Sequence, residues 1–387
     1  MYSQRCLVFF LSCLLCLLVL PATAQAPYYP PPGSWESRSP AEMGFNPDSL
    51  AAAVGFAKAN EYTGAKDLRV AILQGFAREP YHKLAGPTKK RGGPAGLILR
   101  KGYIVAQWGD VERVDMTFSV TKSYLSTVAG LAVDAGRIRS TADPVARYVW
   151  DGTFAGEHNT GITWGQLLTQ SSDWSGELFG MKDWADRPPR EGGLDDWKFR
   201  KLAEPGAQFE YNDVRVNVLA YSLLQVWRRP LPMVLKEKIM EPIGASTTWR
   251  WYGYENSFVN VDGMMMQSVS GGGHSGGGIF ISTLDHARFG LLFARRGRWR
   301  QQQLISEDWI AEALQPSAAN ASYGYMWWLN QGPRAWKGVE VAAYYAAGFG
   351  GNFIVIIDAY DLVIVTRWLQ PSEIGTMVSK VLAAVEQ

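Results

Sequence analysis

"FSVTKS", residues 118–123, puts a serine and a lysine three positions apart at the head of the long apolar run "FSVTKSYLSTVAGLAVDAG". Residues three apart on a helix share one face, with Cβ atoms about 5–6 Å apart, so Ser119 and Lys122 can act on one another. In the first helical turn Ser119 feels the positive end of the helix dipole, and free amides there can stabilise an oxyanion. Burial of Lys122 would disfavour its charged form, and a neutral amine could take the serine proton. The same residues also fit a plain N-cap serine and a solvated lysine. The S-x-x-K spacing occurs once in the chain, about as often as chance supplies it at this length, so its setting matters more than the spacing.

The setting is a folded globular protein. Of 387 residues, 47% are hydrophobic and 19% charged, enough apolar surface for one large unit or two packed lobes. The formal charge of +2 argues against nucleic acid or an anionic membrane as partner. Residues 1–24 carry one basic residue, Arg5, an apolar core and a terminal Ala22-Thr23-Ala24, the pattern of a cleaved secretory signal peptide. Its apolar core is short for a membrane span. Cys6, Cys13 and Cys16 all lie in this leader, so the mature chain is expected to have no thiols, disulfides or cysteine metal site, and no stable membrane insertion. Export to a bacterial periplasm is the expected localisation.

Residues 25–40 are a Pro-rich lead-in, expected to be an extended linker. Asn46 and Pro47 supply an N-cap and first-turn proline for a helix through "DSLAAAVGFAKAN". "AGLILRKGYIVAQWGD" reads as a hairpin around Lys101-Gly102, and "GNFIVIIDAYDLVIVTRW" as a second one, followed by a last helix. Between them the chain reads as helix and loop, with helices over 119–134, about 163–169 and 214–227, the middle one opened by a Thr163/Gln166 capping box. The fold class is therefore α/β (α+β): an antiparallel sheet flanked by helices and built from both ends of a domain spanning 41–387, with an inserted all-helical lobe. The α/β lobe takes about 41–118 and 290–387, the helical lobe about 119–289.

Two alternatives in chemistry fail on context. His82, His158, His274 and His286 form no zinc-type pair on one helical face, so no metal and no cofactor is expected. Gly273-His274-Ser275-Gly276-Gly277 satisfies the G-x-S-x-G pattern of a nucleophile elbow, but "GMMMQSVSG" before it is a poor strand. His286, the only later histidine, follows too soon. A glycine-rich turn leading into the helix "STLDHARFGLLFARR" describes it better. His274 is an ordinary loop histidine or a cleft residue. Tyr211 closes the extended "GAQFEY" before a helix whose N-cap could be Asp213; beside an ammonium its phenol could relay protons.

"FSVTKS", the tyrosine segment about ninety residues later and the terminal "AAGFGGNFIVI" resemble, in order and spacing, the serine β-lactamase and penicillin-binding protein superfamily. The likeness is strongest to the class C-like branch with its esterases and 6-aminohexanoate-dimer hydrolases, and it spans most of residues 90 to 370. It implies a β-lactamase/transpeptidase-like fold with the site between the lobes. Ser119 would be the acylated nucleophile, Lys122 its base partner, and Tyr211 the tyrosine of the Y-x-N motif. Two motifs depart. Tyr211-Asn212-Asp213 has a carboxyl group where an amide is usual, which puts Asp213 at the substrate. The third motif becomes Ala346-Ala347-Gly348, whose Gly348 and Phe349 backbone could still complete an oxyanion hole. It lacks the cation that would hold a β-lactam or peptide carboxylate, which favours neutral substrates. "SSDW", with Asp173, resembles the S-D-N box but precedes Tyr211.

The expected function is an exported serine hydrolase of the esterase or amidase type, cleaving a small-molecule ester or amide through a Ser119 acyl-enzyme. The rivals are a β-lactamase or D,D-peptidase acting on β-lactams or cell-wall peptides, and a non-catalytic or slow-acylating binding protein on the same scaffold.

Overall fold

The computed structural model describes residues 27–386; the leader and its three cysteines lie outside the described residues. Along the chain, helix α1 (Pro47–Ala59) precedes strands β1 (Ala95–Arg100), β2 (Tyr103–Trp108) and β3 (Asp115–Met116), then α2 (Thr121–Asp134) and the short α3 (Trp164–Leu168). Helix α4 (Asp213–Trp227) leads to β4 (Arg250–Val261), β5 (Met264–Val269) and β6 (Gly278–Ile281). Helix α5 (Thr283–Ala294) leads to β7 (Trp328–Leu329), β8 (Tyr344–Gly348), β9 (Asn352–Ile357) and β10 (Leu362–Arg367), with α6 (Ile374–Ala383) last.

Local chemistry sets these boundaries as expected. Asn46 caps α1, its side chain accepting from the Ser49 N–H at 2.9 Å, with Pro47 at the first helical position. Thr163 and Gln166 cap α3 reciprocally. Lys101 and Gly102 both take positive φ, 52° and 88°, the geometry a two-residue hairpin turn needs between β1 and β2.

A six-stranded antiparallel sheet in the order β7-β8-β9-β10-β1-β2 joins the two hairpins, with β1 paired to β10 from Ala95↔Arg367 to Arg100↔Leu362. Its central strands are apolar over most of their length because both faces are covered. Leu97, Leu99, Ile354, Ile356, Val363 and Val365 face one core with α2, α4 and α5. Ile98, Val355, Ile357, Leu362 and Ile364 face the other, against α1 and α6.

The stretch read as helix and loop also contains strands. A four-stranded sheet, β3-β6-β4-β5, forms there, and "GMMMQSVSG" contributes β5 rather than loop. Methionine carries little strand preference of its own, and Met264 and Met265 are exposed; backbone pairing with β4 makes the strand, which side-chain pattern does not announce. Buried Arg367 ties the two sheets together behind the serine, donating to Asn352 Oδ1 (2.7 Å), the Ile281 carbonyl (2.9 Å) and the Met116 carbonyl (3.1 Å).

The Pro-rich lead-in is extended and pinned. Ser37 bridges to Ile104 of β2, and Arg288 of α5 donates to the carbonyls of Pro30, Pro31 and Ser34 at 3.2, 2.8 and 3.1 Å.

Candidate active site

Ser119 sits in a single 3-10 turn, Phe118–Val120, that runs into α2. Phe118 has φ 52°, a left-handed conformation costing a side-chain-bearing residue about 1–3 kcal/mol. Packing of its ring against Phe349 and Trp368 holds it there. Lys122 follows in the first turn of α2, where its side chain is 1% exposed. Its Nζ donates to Ser119 Oγ at 2.8 Å and to Asp213 Oδ1 at 2.6 Å. The lysine is thus neither a solvated residue nor the lone desolvated amine expected from the sequence: it has a buried anionic partner.

Asp213 is where the site departs most from expectation. The N-cap of α4 is Asn212, whose side-chain oxygen accepts from the Arg215 N–H at 3.1 Å. Asp213 is therefore the first helical residue, and its carboxylate turns inward, 2% exposed, between Lys122 Nζ and Arg187, whose Nη2 lies 2.6 Å from Oδ2. It does not line the cavity in front of Ser119. Burial alone would raise its pKa, but Lys122 and Arg187 outweigh burial and hold the carboxyl below the ordinary carboxylate range. Arg187 also pairs with Asp186 Oδ1 at 2.5 Å. Asp186 is pushed up to about 6 by burial, with the charge of Asp213 adding to the rise. Gly272 closes over this cluster: a Cβ there would stand 1.7 Å from Asp213 Oδ1 and 2.3 Å from Lys122 Nζ. The glycine-rich loop is required by the ion pair beneath it.

Tyr211 lies beside the same lysine, with Nζ 4.7 Å from the ring centre and the Arg187 guanidinium carbon 5.2 Å from it. The ring face, rather than the edge bearing the hydroxyl, meets both cations. Gly348 ends β8 against the serine turn; a Cβ on it would meet the Thr117 carbonyl oxygen at 2.2 Å and the Ser119 nitrogen at 3.3 Å. Only glycine allows that approach, and Gly348 and Phe349 line the same cavity as Ser119. The structure therefore gathers Ser119, Tyr211, Gly348 and Phe349 around one cavity of about 600 Å³, with Lys122 buried behind Ser119.

Two cavity residues had no sequence signal. Arg187, in "DRPPR", and Arg334, in the loop before β8, both line the cavity. The third motif carries no cation, but two arginines from elsewhere in the chain reach the cavity. His274 lines it too. Arg187 can only donate, so His274 Nδ1 accepts from it at 3.0 Å while Nε2 carries the proton shared with Glu79 Oε2 at 2.5 Å. Burial, reinforced by Arg187, pushes His274 down to about 4. Two groupings, Glu79 with His82 and His274, and Asp186 with Asp213 and His274, place candidate metal-ligand atoms within 4.8 Å of one another. In both, the His274 nitrogens and the carboxylates are already engaged by protein partners.

The remaining sequence candidates are structural. Asp173 of "SSDW" is bound by Arg200 and Arg215 at 2.6 and 2.7 Å. His286 lies beneath α2, between Thr117 and Tyr124. Ser275 of the elbow-like pattern uses its carbonyl to accept from the Ala85 and Gly86 amides.

The sequence model of the Beta-lactamase family matches residues 97–370. The 6-aminohexanoate-dimer hydrolase of Paenarthrobacter ureafaciens is 22% identical over 268 residues, which is 60% of this chain and 63% of that protein; the chain thus spans less than two thirds of that relative's length. Among solved structures, EstCE1, described as a hydrolase with promiscuous acyltransferase activity, superposes with a TM-score of 0.58 at 16% identity, over 88% of this chain and 99% of its own. A family VIII carboxylesterase gives 0.54 at 18%, over 76% and 93%. At these identities the structural likeness speaks for the fold.

Proposed function

The chain belongs to the Beta-lactamase family, and on that premise we propose that it is a serine hydrolase that cleaves an ester or amide of modest size through an acyl-enzyme on Ser119. The observation that carries this reading is the 2.8 Å contact from Lys122 Nζ to Ser119 Oγ, made by a lysine that Asp213 locks in place. With Lys122 as the neutral amine and Tyr211 beside it, Ser119 Oγ would attack the carbonyl carbon while its proton passes to the Lys122 Nζ lone pair, giving the ammonium that Asp213 faces. The oxyanion would rest on the amides of Ser119 and Phe349. Collapse would expel the alcohol or amine with that proton, and water, entering by the same route, would release the acid and regenerate Ser119. The esterase and amide-hydrolase names among the relatives support this substrate class. The leader at residues 1–24 supports export, with catalysis in the periplasm.

Intact-mass analysis after treatment with a fluorophosphonate probe tests the reading, with Ser119→Ala beside wild type. One adduct on wild type and none on the variant is the expected result. No adduct on either would remove Ser119 as a working nucleophile. Nitrocefin turnover faster than that of simple esters would replace the ester and amide class with β-lactams.

A further inference from the structure

The cavity in front of Ser119 is chemically one-sided. Its wall is aromatic, and Tyr211, Trp328 and Tyr345 lie nearly parallel in it, with successive ring centres 5.7 and 6.5 Å apart and interplanar angles of 22° and 19°. Trp336 extends the wall, 4.6 Å from Tyr345. Two guanidinium groups reach the cavity, and no carboxylate is among its lining residues.

The two cations are not equivalent. Arg187 is committed to Asp186 and Asp213 at 2.5 and 2.6 Å. Arg334 is exposed and, among the described residues, in no ion pair; its guanidinium carbon stands 4.2 Å from the Trp328 ring centre. A guanidinium held by its flat face keeps its in-plane N–H groups, the donors that a carboxylate takes two at a time. Stacking on a rigid ring also removes much of the entropy cost of fixing an arginine for a ligand.

We propose that the substrate is an ester or amide bearing a carboxylate on an aromatic ring, with the ring against the Trp328–Tyr345 wall and the carboxylate on Arg334. This rests on the acyl-enzyme reading above and names its substrate class. An aromatic lining of this kind suits a planar ring, which can meet it offset-stacked or edge-on. The unmatched charge at the end of that wall suits an anion, and the absence of lining carboxylates leaves nothing to repel one.

Two matched probe pairs test the proposal. In the first the charge is on the alcohol part: 3-acetoxybenzoate against 3-acetoxybenzamide. In the second it is on the acyl part: monophenyl terephthalate against the phenyl ester of 4-carbamoylbenzoic acid. In at least one pair kcat/KM is expected to favour the carboxylate by about tenfold or more, the size of one charge-assisted hydrogen bond. Arg334→Met is expected to bring the two members within about twofold of each other, and Arg334→Lys to restore part of the difference. Raised salt should weaken the wild-type preference. Equal turnover within both pairs would overturn the proposal and leave the acyl-enzyme reading standing. A preference that survives in Arg334→Met would overturn the assignment to Arg334. Fluorophosphonate labelling of Ser119 without turnover of any probe would overturn the substrate class alone. Absence of labelling would mark failure of the acyl-enzyme reading itself.

Discussion

Lys122 Nζ and Asp213 Oδ1 are 2.6 Å apart in a setting where neither side chain is more than 2% exposed. A buried pair of this kind adds little net stability over an apolar replacement, but removing one member strands the other charge at about 3–5 kcal/mol. Its value here is geometric. The same ammonium that faces Asp213 donates to Ser119 Oγ, so the carboxylate fixes both the place and the charge environment of the group that handles the serine proton.

Asp213→Asn keeps a hydrogen-bond acceptor beside Lys122 and removes the negative charge. The acid limb of the kcat/KM profile for a simple aryl ester is expected to move to lower pH, because the base that takes the serine proton loses an anionic neighbour. Asp213→Ala, which also removes the acceptor, should unfold more readily in urea by about 3–5 kcal/mol. An unchanged pH profile in Asp213→Asn would detach the carboxylate from proton transfer.

Gly272→Ala places a methyl group inside the ion pair, 1.7 Å from Asp213 Oδ1 in the wild-type geometry. Overpacking of this kind costs about 1–3 kcal/mol, and the group that must yield is the Lys122–Asp213 contact. Thermal melts should fall modestly while the rate of fluorophosphonate labelling of Ser119 falls steeply. Labelling at the wild-type rate would show that the loop, and not the pair, absorbs the methyl.

Gly348→Ala meets backbone rather than side chain, the Thr117 carbonyl oxygen at 2.2 Å. The end of β8 must retreat from the serine turn and take the Phe349 amide with it. Loss of one oxyanion donor typically lowers kcat by about 10²–10³-fold. A steady-state comparison on one ester should show that loss chiefly in kcat; a change confined to KM would argue against an oxyanion role for this strand end.

Stability between pH 4 and 6 should expose two opposed titrations. His274 is lowered from 6.5 to about 4, so its contribution is present above 6.5 and lost as pH falls through 4. Asp186 is raised from 3.8 to about 6, so its contribution is present below 3.8 and lost as pH rises through 6. Between 4 and 6 the unfolded chain binds one more proton at His274 and one fewer at Asp186, and the slopes, each up to about 1.4 kcal/mol per pH unit, offset one another. His274→Gln should therefore make the melting temperature fall more steeply, or rise less, from pH 4 to pH 6 than in wild type. Asp186→Asn should do the reverse. Parallel curves for the three proteins would show that neither group titrates as described.

Much of the architecture was legible in the residues. Asn46-Pro47, the Thr163/Gln166 box, Lys101-Gly102 and the apolar runs of β1, β9 and β10 act within a few positions of themselves. The hairpin of β4 and β5 was not legible, because the methionines of β5 carry no period and backbone pairing with β4, not side-chain pattern, makes the strand.

The sequence by itself determined that Ser119 and Lys122 would share a helical face, since a separation of three residues settles that locally. It also carried, through resemblance, the order of the motifs around them. Only the tertiary structure decided what Lys122 touches. Its partner Asp213 lies 91 positions away, and Arg187, Gly272, Arg334 and Gly348 come from four further segments. The physical reason is the reach of each kind of information. Caps, turns and periodicity are set by neighbours in the chain, whereas the charge state and geometry of a buried group are set by whatever the assembled layers bring within a few ångströms of it.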